Sequence, residues 1–221
     1  MRQATASNPR STPAQRRSTR LSKGEATRRS ILGHGLAAVS LHGLEGLSLG
    51  VMAKNIGMSK SGLFAHFRSK EDLQLQVLET AIVRFIEGVV TPALQAPRGE
   101  PRVRAFFERW MEWSVSEGMP GGCVFMAIAS ELDDKPGPLR SRLVASQRDW
   151  LEALATAARI AIDEGDFRAD LECDQFAYEM YSIALACHHF HRLIRDPAAF
   201  DRAHRAFDRL ISTARSGSTV S

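Results

Sequence analysis

The side chains best suited to contact a ligand lie in one short stretch, NIGMSKSGLFAHFRSKEDL, at positions 55–73. Ser59, Lys60, Ser61 and Gly62 come first in a short helical pattern. Small residues at the start of such a helix allow it to approach a surface closely, and a lysine there can reach a guanine or a phosphate. The stretch predicts a surface that contacts DNA, although glycine at a turn would also suit an ordinary helical corner.

Cysteine and histidine side chains form a second group of candidates. Cys187, His188, His189 and His191 occur together in CHHFHR, and histidines three residues apart can share one metal ion. No carboxylate or cysteine pair completes a local ligand set, so we expect no metal site. Cys123 follows two glycines, where a helix N-terminus would lower a thiol pKa, but a buried small residue after a glycine turn is the favoured interpretation.

The charge distribution supports a polyanion-binding N-terminal part. Residues 1–70 carry 12 Lys and Arg against two acidic residues, a net charge of +10. Residues 71–221 carry 17 Lys and Arg against 23 Asp and Glu, a net charge of −6. A solvated basic tail is the alternative, but residues 23–70 alone still hold seven basic and two acidic side chains.

The elements that position the first stretch are predicted from periodicity and capping residues. A helix starts near Lys23 and ends at Gly43. Ser48 is placed to cap a helix over 49–56, Ser59 a helix over 60–66, and Ser69 a long helix that runs from Lys70 to about residue 90. Together they have the dimensions of a helix-turn-helix unit.

Further helices are predicted for the remainder, and no alternating strand pattern is found, so the predicted fold class is all-α. After Pro92, apolar residues at helical spacing mark the following segments: 101–117, 121–132, 137–164, 174–195 and 199–214. The domain prediction is a disordered basic tail over 1–22, a helix-turn-helix domain over 23–69, a helical body over 70–214 and a tail over 215–221.

Composition restricts the class of protein. The 221 residues suffice for a real core, and no apolar run approaches the roughly 18 residues of a membrane-spanning helix. Three widely spaced cysteines do not form a disulfide framework, and the N-terminus lacks the apolar core of a secretory signal. We therefore expect a cytoplasmic protein with no membrane partner and no cofactor.

Residues 31–73, ILGHGLAAVSLHGLEGLSLGVMAKNIGMSKSGLFAHFRSKEDL, resemble the tetracycline-repressor (TetR) family of bacterial transcriptional regulators almost position by position. The remainder is similar only in the number, length and order of its helices. The resemblance implies a three-helix DNA-binding head, a connecting helix, and a helical body that dimerises and holds an effector pocket.

The resemblance also implies roles for individual residues. Ser59, Lys60, Ser61 and Gly62 would face the bases, and the phosphate contacts would come from Ser48, His66 and Lys70. Phe64 occupies a position where the family usually has tyrosine, so a hydroxyl contact to phosphate is lost there. Leu47 replaces a usual threonine.

The implied pocket lies in the body, and its expected lining is Phe107, Met111, Met126, Trp150 and His188. These side chains favour a hydrophobic or aromatic ligand, with His188 as the polar anchor. They could also simply fill a core without a cavity.

We therefore predict a DNA-binding regulator, a repressor rather than an enzyme, that binds a near-palindromic double-stranded operator as a homodimer and is released by a small effector. Phe190 and Phe207 are expected in the dimer seam, on segments 174–195 and 199–214. The alternatives are an architectural DNA-binding protein without an effector, and an enzyme that uses Cys123 or the histidines. The sequence names neither effector nor operator.

Overall fold

The computed structural model describes residues 22–217, which form helices joined by short connections. In chain order they are α1 (Lys23–His42), α2 (Leu49–Asn55), α3 (Lys60–Phe64), α4 (Lys70–Phe85), a π-helical turn (Ile86–Val90), α5 (Thr91–Leu94), α6 (Glu100–Trp113), α7 (Val124–Leu132), α8 (Pro138–Asp163), α9 (Cys173–His189), a second π-helical turn (Phe190–Ile194) and α10 (Ala199–Ala214). No strand occurs in this part of the chain, which confirms the all-α prediction. None of its helices is both long and apolar enough to span a bilayer.

The predicted capping residues explain where the first helices begin. The Ser59 and Ser69 hydroxyls accept hydrogen bonds from Gly62 N at 3.0 Å and Asp72 N at 3.0 Å. Such caps satisfy amides that the first helical turn leaves without partners. Ser22, assigned above to the tail, also belongs here, because it forms a capping box that starts α1.

Pro92 does not interrupt the connecting helix, which continues a few residues beyond its predicted end near residue 90. The helical path runs from Lys70 to Leu94, through the π-helical turn Ile86–Val90. Proline has no amide hydrogen, so a regular helix would lose a hydrogen bond at this position. The chain widens instead, and the Thr91 amide donates to the Ile86 carbonyl five residues earlier.

The body is held together by packing of α8 against α9 and of α9 against α10. On the other side of α10, the Phe107 ring of α6 stacks on Phe207 with a centroid separation of 4.0 Å. The segment after α10 is also fixed, because Arg215 pairs with Phe167 in an isolated antiparallel bridge and with Glu100 in an ion pair. Residues 1–21 and 218–221, including most of the predicted tails, lie outside the described part.

The N-terminal helices pack directly on the body. α1 lies against α4 and also against α7. Its buried face includes Ile31, Gly35, Leu36 and Val39, as the apolar spacing predicted. The position of α2 and α3 therefore depends on both α4 and α7.

Candidate functional site

The helix-turn-helix unit is supported by buried apolar side chains. Gly57 at the turn has a φ of 67°, a conformation that glycine adopts without strain. On α3, Leu63 is fully buried, and Phe67 just after the helix is also buried. Lys60 and Ser61, on the opposite side, are exposed. α3 thus presents the predicted short polar surface.

The four residues predicted to face the bases differ in what their atoms do. The Ser59 hydroxyl caps α3 and lies 3.1 Å from the Ser61 hydroxyl. Gly62 is half-buried, and a Cβ there would meet Ser59 Oγ at 3.2 Å. Lys60 has the exposed cationic side chain of the group, so it is the residue best placed to reach outward.

The predicted phosphate contacts surround this surface. Ser48 is at the N-cap of α2 and is exposed, but its hydroxyl makes no capping hydrogen bond, which leaves it free to donate to an anion. Lys70 is exposed and His66 is half-buried. The helix α3 ends at Phe64, two residues earlier than predicted, and the Phe64 side chain lies outside the described part of the structure.

Sequence reasoning missed Arg28, which fixes the end of α3. Its guanidinium donates to the His66 carbonyl at 3.2 Å and to the Gln76 side chain, and it lies 5.3 Å from the centroid of the Phe67 ring. Gln76 in turn donates to Asp72 at 2.7 Å. A hydrogen bond from the Arg68 amide, followed by one from Gln76, lowers the pKa of Asp72.

A largely apolar cavity of about 200 Å³ lies in the body. Its walls come from α4, the first π-helical turn, α6, the start of α7, α8 and α9. The lining consists of Ile82, Phe85, Ile86, Val90, Trp110, Cys123, Phe125, Met126, Ser146, Gln147, Asp149, Trp150, Ala153 and Tyr181. The aromatic rings meet edge to face, as in Phe85 against Trp150 at 4.8 Å and Trp110 against Trp150 at 5.3 Å.

A few polar groups are set into this lining. The Tyr181 hydroxyl donates to Gln147 Oε1 at 2.8 Å, and burial raises the pKa of Tyr181 to about 12, so the phenol stays protonated. The indole nitrogen of Trp150 is buried and finds no hydrogen-bond partner among the described residues. A buried donor without a partner favours a guest that carries an acceptor atom.

The predicted lining and the cavity coincide in part. Met126 and Trp150 line the cavity, whereas Phe107, Met111 and His188 are not among its lining residues. Phe107 faces α10 instead, where it stacks on Phe207. Met111 is buried in the core. His188 lies close to Gly122. The polar side chains that line the cavity are instead Ser146, Gln147, Asp149 and Tyr181.

The cysteine and histidine candidates do not assemble into a reactive or metal-binding group. Cys123 is buried, and burial raises the pKa of its thiol. Burial and the nearby Arg192 lower the pKa of His188. Among the described residues, no cluster of three or more His, Cys, Asp or Glu side chains could hold a metal ion.

Several large apolar side chains are exposed on α9 and on the π-helical turn after it, alongside exposed polar ones. The apolar ones are Tyr178, Leu185, Phe190, Leu193 and Ile194. Phe190 is 44% exposed in the single chain, and its place at a dimer seam stays a prediction. Phe207 is only 1% exposed, so its assignment to the seam is wrong: its ring belongs to the core of the subunit.

Two family models match the chain. The model described as bacterial regulatory proteins of the tetR family matches residues 25–77. The model described as the C-terminal domain of tetracyclin repressor-like proteins matches residues 99–207. The two matches cover the helix-turn-helix part and most of the body.

Curated and solved proteins show the same similarity. The HTH-type transcriptional repressor NemR of Escherichia coli (strain K12) is 24% identical over 133 residues, or 59% of this chain and just under two thirds (66%) of that protein. A TetR transcriptional regulator from Chloroflexus aurantiacus J-10-FL has a TM-score of 0.77 at 22% identity, covering 86% of this chain and 95% of its own. AibR, solved with isovaleryl coenzyme A and operator DNA, has a TM-score of 0.66 at 18% identity, covering 85% of this chain and 97% of its own. At these identities the solved structures demonstrate a shared fold.

Proposed function

Because the chain belongs to the TetR family of bacterial transcriptional regulators, we propose that it binds a near-palindromic operator as a homodimer and is released by a small hydrophobic or aromatic ligand. DNA binding is supported above all by the exposure of Lys60 and Ser61 on α3. Leu63 and Phe67 are buried beneath them and hold the helix in place. The name of the relative NemR, a transcriptional repressor, supports repression. We propose no catalytic role, and a cytoplasmic location where the operator is accessible.

The charge of residues 23–70 and the exposure of their polar side chains support operator binding. Residues 23–70 hold seven basic side chains against two acidic ones. Ser48, Lys60 and Lys70 are exposed, so their side chains are available to phosphates or base edges. In a helix-turn-helix protein the N-terminal residues of the second helix contact the bases, and the surrounding basic and hydroxyl groups fix the register on the backbone.

Operator binding is tested with fragments selected from genomic DNA by the purified protein. Lys60→Ala should lower affinity for the selected operator by about 1–3 kcal/mol if Lys60 reads a base, and change sequence preference. His66→Ala should weaken all sequences alike if His66 contacts phosphate. Arg148→Ala, an exposed charge on α8, serves as the matched control. Wild-type affinity in both head variants would contradict the recognition surface.

The exposed apolar side chains on α9 and on the π-helical turn after it support the homodimer. Tyr178, Leu185, Phe190, Leu193 and Ile194 are all exposed in the single chain. A concentration of exposed large apolar side chains in one segment is typical of an interface, and a two-fold axis there would pair the segment with its own copy. Two heads related by such an axis would meet half-sites about one helical turn of DNA apart.

The cavity supports the proposed ligand class. A volume of about 200 Å³ exceeds the roughly 150 Å³ of an engineered apolar cavity that binds benzene. The walls are mostly aromatic and aliphatic. Their hydrogen-bonding groups are Ser146, Gln147, Asp149, Tyr181 and the Trp150 indole N–H. A one- or two-ring molecule with one acceptor atom fits these walls better than a sugar or a phosphate.

The ligand is tested by screening aromatic compounds against polar metabolites, with tryptophan fluorescence and operator release measured together. Trp110 and Trp150 line the cavity, so a bound aromatic compound should change their emission. Trp150→Phe should reduce this change, whereas Phe107→Leu, outside the lining, should leave it close to that of the wild type. Release by charged polar metabolites alone would contradict the ligand class.

A further inference from the structure

A carboxylate of the body holds the backbone of the head. Glu131, in the last turn of α7, accepts hydrogen bonds from the Leu44 amide at 2.9 Å and from the Glu45 amide at 3.1 Å. Leu44 and Glu45 lie in the loop that leads from α1 to α2. An ionised carboxylate that accepts two adjacent backbone amides binds more strongly than a neutral acceptor. This loop is therefore tied to α7 directly, and not only through α4.

The contact is tight enough to transmit small displacements. A Cβ on Gly43 would lie 1.8 Å from Glu131 Oε1, and a Cβ on Gly121 would lie 1.7 Å from the Ser40 carbonyl oxygen. The Gly121 amide also donates to the Ser40 hydroxyl at 3.1 Å, in a buried position. Since packed surfaces have little free volume to absorb a shift, α7 and the end of α1 must move together.

The other end of α7 forms part of the cavity wall. Cys123, Phe125 and Met126, at its beginning, all line the cavity. α7 has nine residues, a length of roughly 14 Å at 1.5 Å per residue. One short helix thus connects the cavity at its first turn with the α1–α2 loop at its last turn.

We propose that Glu131 is the positioning residue through which occupancy of the cavity sets the placement of the DNA-binding head. A guest that displaces the first turn of α7 shifts the whole helix. The Glu131 carboxylate carries the Leu44 and Glu45 amides with it or releases them, so that α2 and α3 leave the operator-binding placement. By linkage, operator binding weakens binding of the guest by the same factor. The operator part of this inference rests on the proposed function.

The test replaces an unidentified ligand with a side chain that fills the cavity. Ala153→Leu places extra volume among the lining residues. In the wild type it should lower operator affinity about tenfold, a typical size for coupling between sites. In the Glu131→Gln background the same substitution should lower it less than about twofold. A glutamine offers one acceptor oxygen and turns an NH₂ group toward the second amide.

A matched control and a readout without DNA make the test specific. Asp134→Asn changes the same charge at an exposed position just beyond α7 and should leave the tenfold effect of Ala153→Leu intact. Ala153→Leu should also speed hydrogen exchange of the Leu44 and Glu45 amides about tenfold, measured by NMR. A purely structural role for Glu131 would not make this exchange depend on the cavity.

The outcomes separate the inference from the proposed function. An equal loss of operator affinity in the Glu131→Gln and wild-type backgrounds would overturn it, as would unchanged amide exchange in Ala153→Leu. If the wild type binds no operator, the proposed function fails, while the exchange measurement still decides the inference. Should Ala153→Leu unfold, as judged by circular dichroism, Ser146→Leu in the same lining takes its place.

Discussion

Arg28→Ala should weaken operator binding even though Arg28 acts within the protein. The side chain reaches from α1 to the segment that follows α3, where it bonds the His66 carbonyl, and to Gln76 on α4. Its guanidinium also lies over the Phe67 ring at 5.3 Å. Without these contacts the end of α3 loses its fixed position relative to α4, and DNA must restore the order when it binds.

The magnitude follows from the three contacts. A cation–π contact at an exposed site contributes about 0.5–1 kcal/mol, and each hydrogen bond contributes about 0.5–1.5 kcal/mol. Arg28 is exposed, so the lower ends of these ranges apply, with a total of about 1.5 kcal/mol per head. That is about a tenfold loss of operator affinity for one head and about a hundredfold loss for a dimer with two heads.

The assay measures operator affinity over a series of salt concentrations. Arg29→Ala is the control, because it removes the same charge from the next residue of α1. Arg28→Ala should bind at least about tenfold more weakly than Arg29→Ala, with a similar salt dependence. A phosphate contact would instead reduce the salt slope by about 1 per contact. The reasoning is refuted if the two variants bind equally, or if the extra loss in Arg28→Ala comes with a reduced slope.

Three further predictions follow from single contacts. Phe190→Glu should give a folded monomer by sedimentation. Phe207→Glu should instead unfold the chain, because the Phe207 ring is stacked in the core. A folded Phe207→Glu variant would contradict the placement of Phe207 in the core. Ser59→Ala should cost about 1 kcal/mol by loss of the α3 cap, seen as weaker operator binding at unchanged dimerisation. The hydrogen bond from Arg215 lowers the pKa of Glu100 to about 2; its stabilisation is therefore present above pH 4.5 and lost as the pH falls toward 2. Glu100→Gln should lower the free energy of unfolding by about 1–2 kcal/mol at pH 7, after allowance for screening at half-exposed Arg215. The difference should shrink toward zero as the pH falls through about 2. A difference independent of pH would contradict the ion pair.

The helix-turn-helix unit was predictable because local signals specify it. Caps at Ser59 and Ser69, the turn at Gly57 and the buried Leu63 are all encoded within a few residues of the structure they produce. Arg28 was not predictable in this way. Its partners lie 38 and 48 residues along the chain, and nothing in the spacing of α1 distinguishes it from its neighbour.

The cavity was only partly predictable because its lining is a tertiary property. Apolar periodicity identified the faces of α6 and α8 that turn inward, and these include Trp150. It could not indicate which inward side chains meet a partner and which border a space. Phe107 meets Phe207 across the core, whereas Tyr181, beside buried Met180 on α9, reaches the cavity. The apolar face of α9 is wide enough to include Tyr181, and this width was the sequence feature that could have placed Tyr181 at the cavity.

The cavity is bordered by α7, which contacts α1, and by the π-helical turn that continues α4, which also contacts α1. On one side is the π-helical turn Ile86–Val90, where the missing amide of Pro92 has already weakened the regular hydrogen-bonding pattern. On the other side is α7, whose end is bound to two amides of the head through Glu131. A π-helical turn can absorb a displacement by a change of hydrogen-bond register, whereas a short regular helix held at both ends moves as a unit. Pressure from a guest against both walls should therefore reach the head mainly through α7.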